Sequence, residues 1–170
     1  MSLQEELLSF ANSVGDMFRR RVAETPDGLA FLDPDRAPEG PNQWTRYTWA
    51  ESRLLVDQLA AGLLARGLAR EQRVGIISTT RLEWILLDLA VACAAGATTT
   101  VYPNTAAGDV EFILDDSGTC IVVVEDATQL AKVEASPTLR AAVHTIVVID
   151  TAHVELNDRV ISYTQLQLLG

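Results

Sequence analysis

At 170 residues, 48% of them hydrophobic and 21% charged, the chain has the size and composition of one α/β domain that buries roughly 70% of its unfolded surface. Its net charge of −10 excludes a basic surface for nucleic acid, and the acidity lies downstream, with 9 basic against 11 acidic side chains in residues 1–73 and 4 against 12 in 74–170. The longest apolar run, Leu89–Ala97, is far short of the ~20 residues that cross a bilayer, the acidic N-terminus is no secretory signal, and Cys93 and Cys120 lack CxxC spacing, which together point to a cytoplasmic protein with core thiols.

The first predicted element is an amphipathic helix. Leu3, Leu7, Phe10, Val14 and Met17 recur at intervals of four and three, which places them on one face, and Ser2 with Glu5 makes a capping box at its start. Arg19, Arg20 and Arg21 fall in the last turns, where the helix dipole favours cations, and Thr25-Pro26 ends the helix. Extended segments around Leu29–Leu32 and Trp44–Thr48 flank a stretch rich in turn formers, Asp33 to Asn42, and read as a β-hairpin. Thr48 and Glu51 form a second capping box. It opens a helix with apolar positions at Leu55, Leu59 and Leu63, stopped at Gly67.

An alternation then sets in. Val74–Ser78 reads as a strand; Thr80 and Glu83 read as a third capping box, before a helix from Arg81 to Ala95 that is apolar nearly all round. Thr98–Tyr102 is the next strand. Residues 106–116 carry Val110, Ile113 and Leu114 at helical spacing and end at Ser117-Gly118. Cys120–Val124 is a strand, 127–135 a short helix and Ile146–Ile149 another strand, and Ser162 with Gln165 caps a last helix. Short β-branched strands alternating with helices predict an α/β fold: a mainly parallel sheet covered on both faces, preceded by an N-terminal helix and β-hairpin.

Few residues suggest chemistry. Gly62 to Gly67 has GxxxxG spacing, but Leu68-Ala69 follows where a phosphate loop needs Lys-Ser/Thr, and there is no GxGxxG. Asp115-Asp116 reads as a solvated helix end rather than a receiver-type acidic pocket. Glu125-Asp126 and Asp150 follow strands, where acids routinely cap helices, so they are weak metal candidates. His144 and His153 pair with no nucleophile and there is no GxSxG elbow. Trp84 reads as core, and Arg19–Arg21 are too few for an anionic-lipid anchor. The residues alone therefore describe an α/β domain without a visible active site.

Four segments in order resemble the N-terminal part of the adenylate-forming (AMP-binding) acyl-CoA synthetase superfamily. They are Phe18 with Ala23-Glu24-Thr25-Pro26-Asp27-Gly28-Leu29-Ala30-Phe31; Arg46-Tyr47-Thr48-Trp49-Ala50-Glu51 followed by Leu59-Ala60-Ala61-Gly62-Leu63; Arg81-Leu82-Glu83-Trp84 with Ala95-Gly96-Ala97; and Val101-Tyr102-Pro103-Asn104-Thr105 with Val110 to Ser117. The Tyr-Pro form is similar to the long-chain fatty acid CoA ligase branch. The resemblance implies a parent enzyme that joins a fatty acid to ATP as an acyl-adenylate and passes the acyl group to CoA, using ATP, Mg and CoA. It implies that residues 1–170 are a single partial domain whose partner is the remainder of that enzyme. The family's glycine-rich phosphate loop, Tyr-Gly-x-Thr-Glu segment, ribose-binding Asp and catalytic Lys are expected beyond Gly170. Thr98-Thr99-Thr100 is no substitute for that loop, and Lys132 matches no family position. Accordingly no catalytic, cofactor-binding or metal residue carries over, and the chain alone is expected to be inactive. The alternative is a non-catalytic interaction or dimerisation module derived from the same family, with peripheral membrane contact and homodimerisation left open.

Overall fold

The computed structural model describes residues 11–34 and 44–170. The first described helix, α1 (Val14–Glu24), starts where Ser13 accepts a hydrogen bond from the Asp16 amide. This corrects the expected single helix from Ser2: the chain at 11–13 is not helical, while the Ser2/Glu5 box, Leu3, Leu7 and Phe10 lie outside the described residues. The buried face also differs. Gly15, Phe18 and Val22 point inward, whereas Val14 and Met17 are about half exposed, at 49% and 56%. Gly15 explains the choice, because α1 crosses so close that a Cβ there would sit 2.9 Å from the Ala92 carbonyl oxygen.

The hairpin forms as predicted, with β1 (Leu29–Asp33) antiparallel to β2 (Thr45–Thr48); most of its connecting turn, residues 35–43, is outside the described part. The Thr48/Glu51 box then caps α2 (Trp49–Ala65), with both reciprocal hydrogen bonds present. Gly67 adopts φ +90°, and the amides of Gly67 and Leu68 return to the carbonyls of Leu64 and Leu63, which closes the helix.

Five parallel strands follow: β3 (Arg73–Ile77), β4 (Ala97–Val101), β5 (Thr119–Val124), β6 (Thr145–Val148) and β7 (Val160–Ser162). They form one sheet in the order β4–β3–β5–β6–β7. The connecting helices are α3 (Leu82–Cys93), α4 (Ala107–Asp116), α5 (Ala127–Ala135) and α6 (Pro137–Ala142); α7 (Tyr163–Leu168) follows β7. Neither α6 nor β7 was anticipated. Both are short: α6 has six residues, started by Ser136 with Pro137 in its first turn, and β7 has only three.

Strand side chains alternate between two cores, as the pleat requires. Val74, Ile76, Ile121, Val123, Val147 and Ile161 face a layer of α1, α2, α3 and α7. Ile77, Val122, Val124, Ile146, Val148 and Val160 face α4, α5 and α6. The helix of the β3-to-β4 step therefore lies on one face. Those of the two following steps, which run across the sheet in the opposite direction, lie on the other, as crossovers of constant hand demand. The expected Thr80/Glu83 box is also corrected. Arg81 is the N-cap of α3 without a side-chain cap, and it draws the Glu83 carboxylate to its own guanidinium at 2.7 Å.

Candidate functional site

From β3 the chain crosses to β4 on one side and then returns to β5 on the other, so the switch point lies between β3 and β5. Open α/β sheets hold ligands in the crevice outside the strand carboxyl ends at such a point. Here β3 and β5 are in register, Ile77 beside Val124, so Ser78-Thr79 and Glu125 emerge together. The Glu125 amide donates to the Ile77 carbonyl at 2.9 Å, fixing the two exits to each other.

The crevice is occupied by a side chain. Glu125 accepts the Thr79 amide at 2.7 Å and the Thr79 hydroxyl at 2.9 Å. The Arg81 guanidinium lies 3.8 Å from the same carboxylate and pairs with Glu83, which is buried. Two carboxylates thus flank one arginine, and the β3–α3 turn, Ser78-Thr79-Thr80-Arg81, contains no glycine and no lysine. A phosphate brought to this point would meet acceptors where it needs donors. Alongside is a cleft of about 290 Å³ whose lining among the described residues is Ser78, Thr80, Trp84, Thr100, Val101 and Tyr102, none of them charged.

Other sequence candidates resolve into local structure. Asp126 caps α5 by accepting the Gln129 amide, Asp150 accepts the Ala152 amide, and Asp115 and Asp116 are exposed at the end of α4. His144 and His153 are both exposed, the former within 3.2 Å of the Thr145 hydroxyl. Gly62 is inside α2 and Gly67 ends its C-terminal turn, so the GxxxxG spacing is helical. Thr98–Thr100 run along β4, the sheet edge. Trp84 is half-buried; it packs against the first core and also lines the cleft.

The arginine run stays within the chain: Arg19 donates to the Cys93 carbonyl, while Arg20 and Arg21 pair with Asp16 and Glu24. Lys132, the only lysine, is a clamp. Its amine donates to the carbonyls of Pro103 and Thr105, tying α5 to the β4–α4 loop. Cys93 and Cys120 are half-buried free thiols rather than fully buried ones, and burial pushes both above the ordinary thiol value, so neither is an activated nucleophile. Among the described residues no group of three His, Cys, Asp or Glu side chains could hold a metal ion, and no helix is long and apolar enough to cross a membrane.

The Thr79–Glu125–Arg81 cluster was not legible as a unit. Glu125 lies 46 positions from Thr79, and only the adjacency of β3 and β5 brings it to Thr79 and Arg81. A polar residue directly after each of two apolar strands was the one available signal.

A family profile described as AMP-binding enzyme matches residues 18–167. The long-chain-fatty-acid–CoA ligase FadD15 of Mycobacterium bovis is 35% identical over 101 residues, covering 57% of this chain and 17% of that protein. The long-chain-fatty-acid–CoA ligase heimdall of Drosophila melanogaster is 32% identical over 118 residues, covering 69% of this chain and again 17% of the relative. The crystal structure of a long-chain-fatty-acid-CoA ligase from Archaeoglobus fulgidus superposes with a TM-score of 0.75 at 18% identity, over 95% of this chain and 30% of that one. The last likeness establishes a shared fold. The chain spans about a sixth of the length of these curated relatives.

Proposed function

The chain belongs to the AMP-binding enzyme family, and from that membership we propose that it is the scaffold portion of an ATP-dependent long-chain fatty acid CoA ligase. In that reaction the fatty acid carboxylate displaces pyrophosphate from ATP to give an acyl-adenylate, and the CoA thiol then displaces AMP. The observation that carries the reading is the extent of the match, residues 18–167, which takes in all five parallel strands. Two relatives that match 101 and 118 residues, those of Mycobacterium bovis and Drosophila melanogaster, are both long-chain ligases by name.

The role of the chain is architectural. Its own switch point does not fit a nucleotide phosphate, because Glu125 already takes the Thr79 donors and the turn offers neither glycine nor lysine. ATP, Mg and CoA are therefore assigned to the parent enzyme, and no catalytic step is derived through these residues. The exposed apolar side chains Met17, Leu54, Tyr102, Phe112 and Leu168 offer surface for the rest of the parent or for a second copy.

Two measurements test this reading. The 170-residue chain should form no acyl-adenylate with hexadecanoate, and calorimetry should detect no micromolar affinity for Mg·ATP. The product of the complete gene should carry a glycine-rich phosphate loop ending in Pro-Lys-Gly and should make long-chain acyl-CoA. A complete gene without that loop, or micromolar ATP affinity in the 170-residue chain, would overturn the assignment.

A further inference from the structure

We propose that Glu125 is a built-in occupant of the switch-point crevice: its carboxylate fills, from within the chain, the position where a sheet of this strand order otherwise holds an anionic ligand, and so withdraws this sheet from nucleotide binding. The inference concerns this sheet alone and stands whether or not the parent is a long-chain ligase.

Three observations carry it. First, the strand order puts the ligand crevice of this fold class between β3 and β5, and nowhere else in the sheet. Second, the group at that position is an anion held as a ligand anion would be. Its two oxygens take separate donors, the Thr79 amide at 2.7 Å and the Thr79 hydroxyl at 2.9 Å, with the Arg81 guanidinium 3.8 Å away. Third, the carboxylate is placed by the sheet itself. Main-chain bonds from the Glu125 amide to the Ile77 carbonyl and from the Asp150 amide to the Glu125 carbonyl anchor its backbone to β3 and to the residues after β6. The side chain is only 20% exposed, so it is a fixed part of the crevice and no surface acid swinging in.

The electrostatics agree. With Glu83 at 2.7 Å and Glu125 at 3.8 Å, Arg81 is already flanked by two carboxylates, and a phosphate entering beside them would be repelled. Removing the Glu125 carboxylate would free the Thr79 amide and hydroxyl and take one carboxylate away from Arg81. The vacated space has the size and donors for a small carboxylate.

The test is chemical rescue of the full 170-residue chain. Glu125→Ala should unfold at lower temperature than the parent, and acetate or inorganic phosphate at tens of millimolar, with ionic strength held constant by NaCl, should restore part of the loss in a saturable manner. The unaltered chain should show no such anion-specific shift. A second measurement needs no substitution: the NMR signal of the Thr79 amide in the unaltered chain should stay in place on titration with phosphate or ADP. A folded Glu125→Ala chain indifferent to both anions, or a Thr79 signal that moves saturably in the unaltered chain, would overturn the inference. If Glu125→Ala does not fold, the Thr79 signal alone decides.

Discussion

Gly62 and Gly108 are both helical glycines, and replacing each by alanine should have opposite consequences. In the middle of a helix alanine is favoured over glycine by about 1 kcal/mol. At Gly108, in the first turn of α4, nothing lies within 4 Å of the added methyl, so Gly108→Ala should gain up to about that amount. At Gly62, in α2, the same methyl would overlap the carbonyl oxygen of Leu166 and lie 3.0 Å from its carbonyl carbon and 3.1 Å from its Cδ1. Two of these three atoms are main chain, so no rotamer change relieves the clash. Helix α7 must shift as a body, loosening Leu166 and Tyr163, both now buried. Overpacking of this kind costs about 1–3 kcal/mol, and partial re-exposure of a leucine adds up to about 2 kcal/mol more. Set against the helix-propensity gain, the net loss should be about 0–4 kcal/mol, centred on ~2 kcal/mol. Urea unfolding followed by circular dichroism reads this directly. With a slope near 1–3 kcal/mol/M, the Gly62→Ala midpoint should fall by about 1 M while Gly108→Ala rises slightly. If both midpoints rise together, the close packing of α7 on α2 is wrong.

Thr48→Ala should cost about 1 kcal/mol by removing the acceptor for the Glu51 amide. Its pH dependence follows from Glu51, whose carboxyl is held below its ordinary 4.5 by the Thr48 amide and then by the Thr48 hydroxyl. A lowered carboxylate contributes stability above the unfolded value and loses it as pH falls through the folded one, so the Glu51-linked part of the difference between Thr48→Ala and its parent should shrink on acidification below about pH 4.5. Lys132→Met should strip two main-chain carbonyls of their donor, lowering stability by about 1 kcal/mol and speeding hydrogen exchange at the Thr105 amide, which bonds to Tyr102. Ala95 holds φ +60° at the end of α3, so Ala95→Gly should be neutral or stabilising by about 0.5 kcal/mol in the same urea titration. Cys93 and Cys120 should react with iodoacetamide more slowly in the folded chain than in urea at pH 8; equal rates would contradict their half-buried, raised-pKa setting.

The elements legible in the sequence were those with local causes. The capping boxes at Thr48/Glu51 and Ser162/Gln165 and the Gly67 stop are written in residues three to five apart, and all are present. The β-branched runs gave the major strands to within a residue or two, and the alternation gave the layered α/β arrangement. What sequence reasoning missed depends on partners distant in the chain. The Thr80/Glu83 pattern had the right spacing, but Arg81 competes for Glu83 and carries it toward the switch point. The inward face of α1 was misjudged because Val14 and Met17 continue a hydrophobic rhythm, whereas Gly15 is what lets the helix approach α3. Strand β7 has too few residues for a period, and exists because β6 pairs with it. The absence of a phosphate-loop motif could be read directly; the side chain that stands in the crevice could not.

Trp49 has a consequence for how the molecule comes apart. Its ring lies 6.2 Å from that of Phe18 and 5.9 Å from that of Phe31, so one side chain at the start of α2 fastens both α1 and the hairpin. Every strand of the parallel sheet lies in 73–162, and none of its pairings involves the hairpin. The first described helix and the hairpin therefore share one pin outside the sheet, and α1 is held besides by Gly15 and Arg19 on α3. Loss of the Trp49 ring should loosen the hairpin first, with α1 still seated on α3 and the sheet's ladder intact, which would give this chain two tiers of native-state opening in place of one.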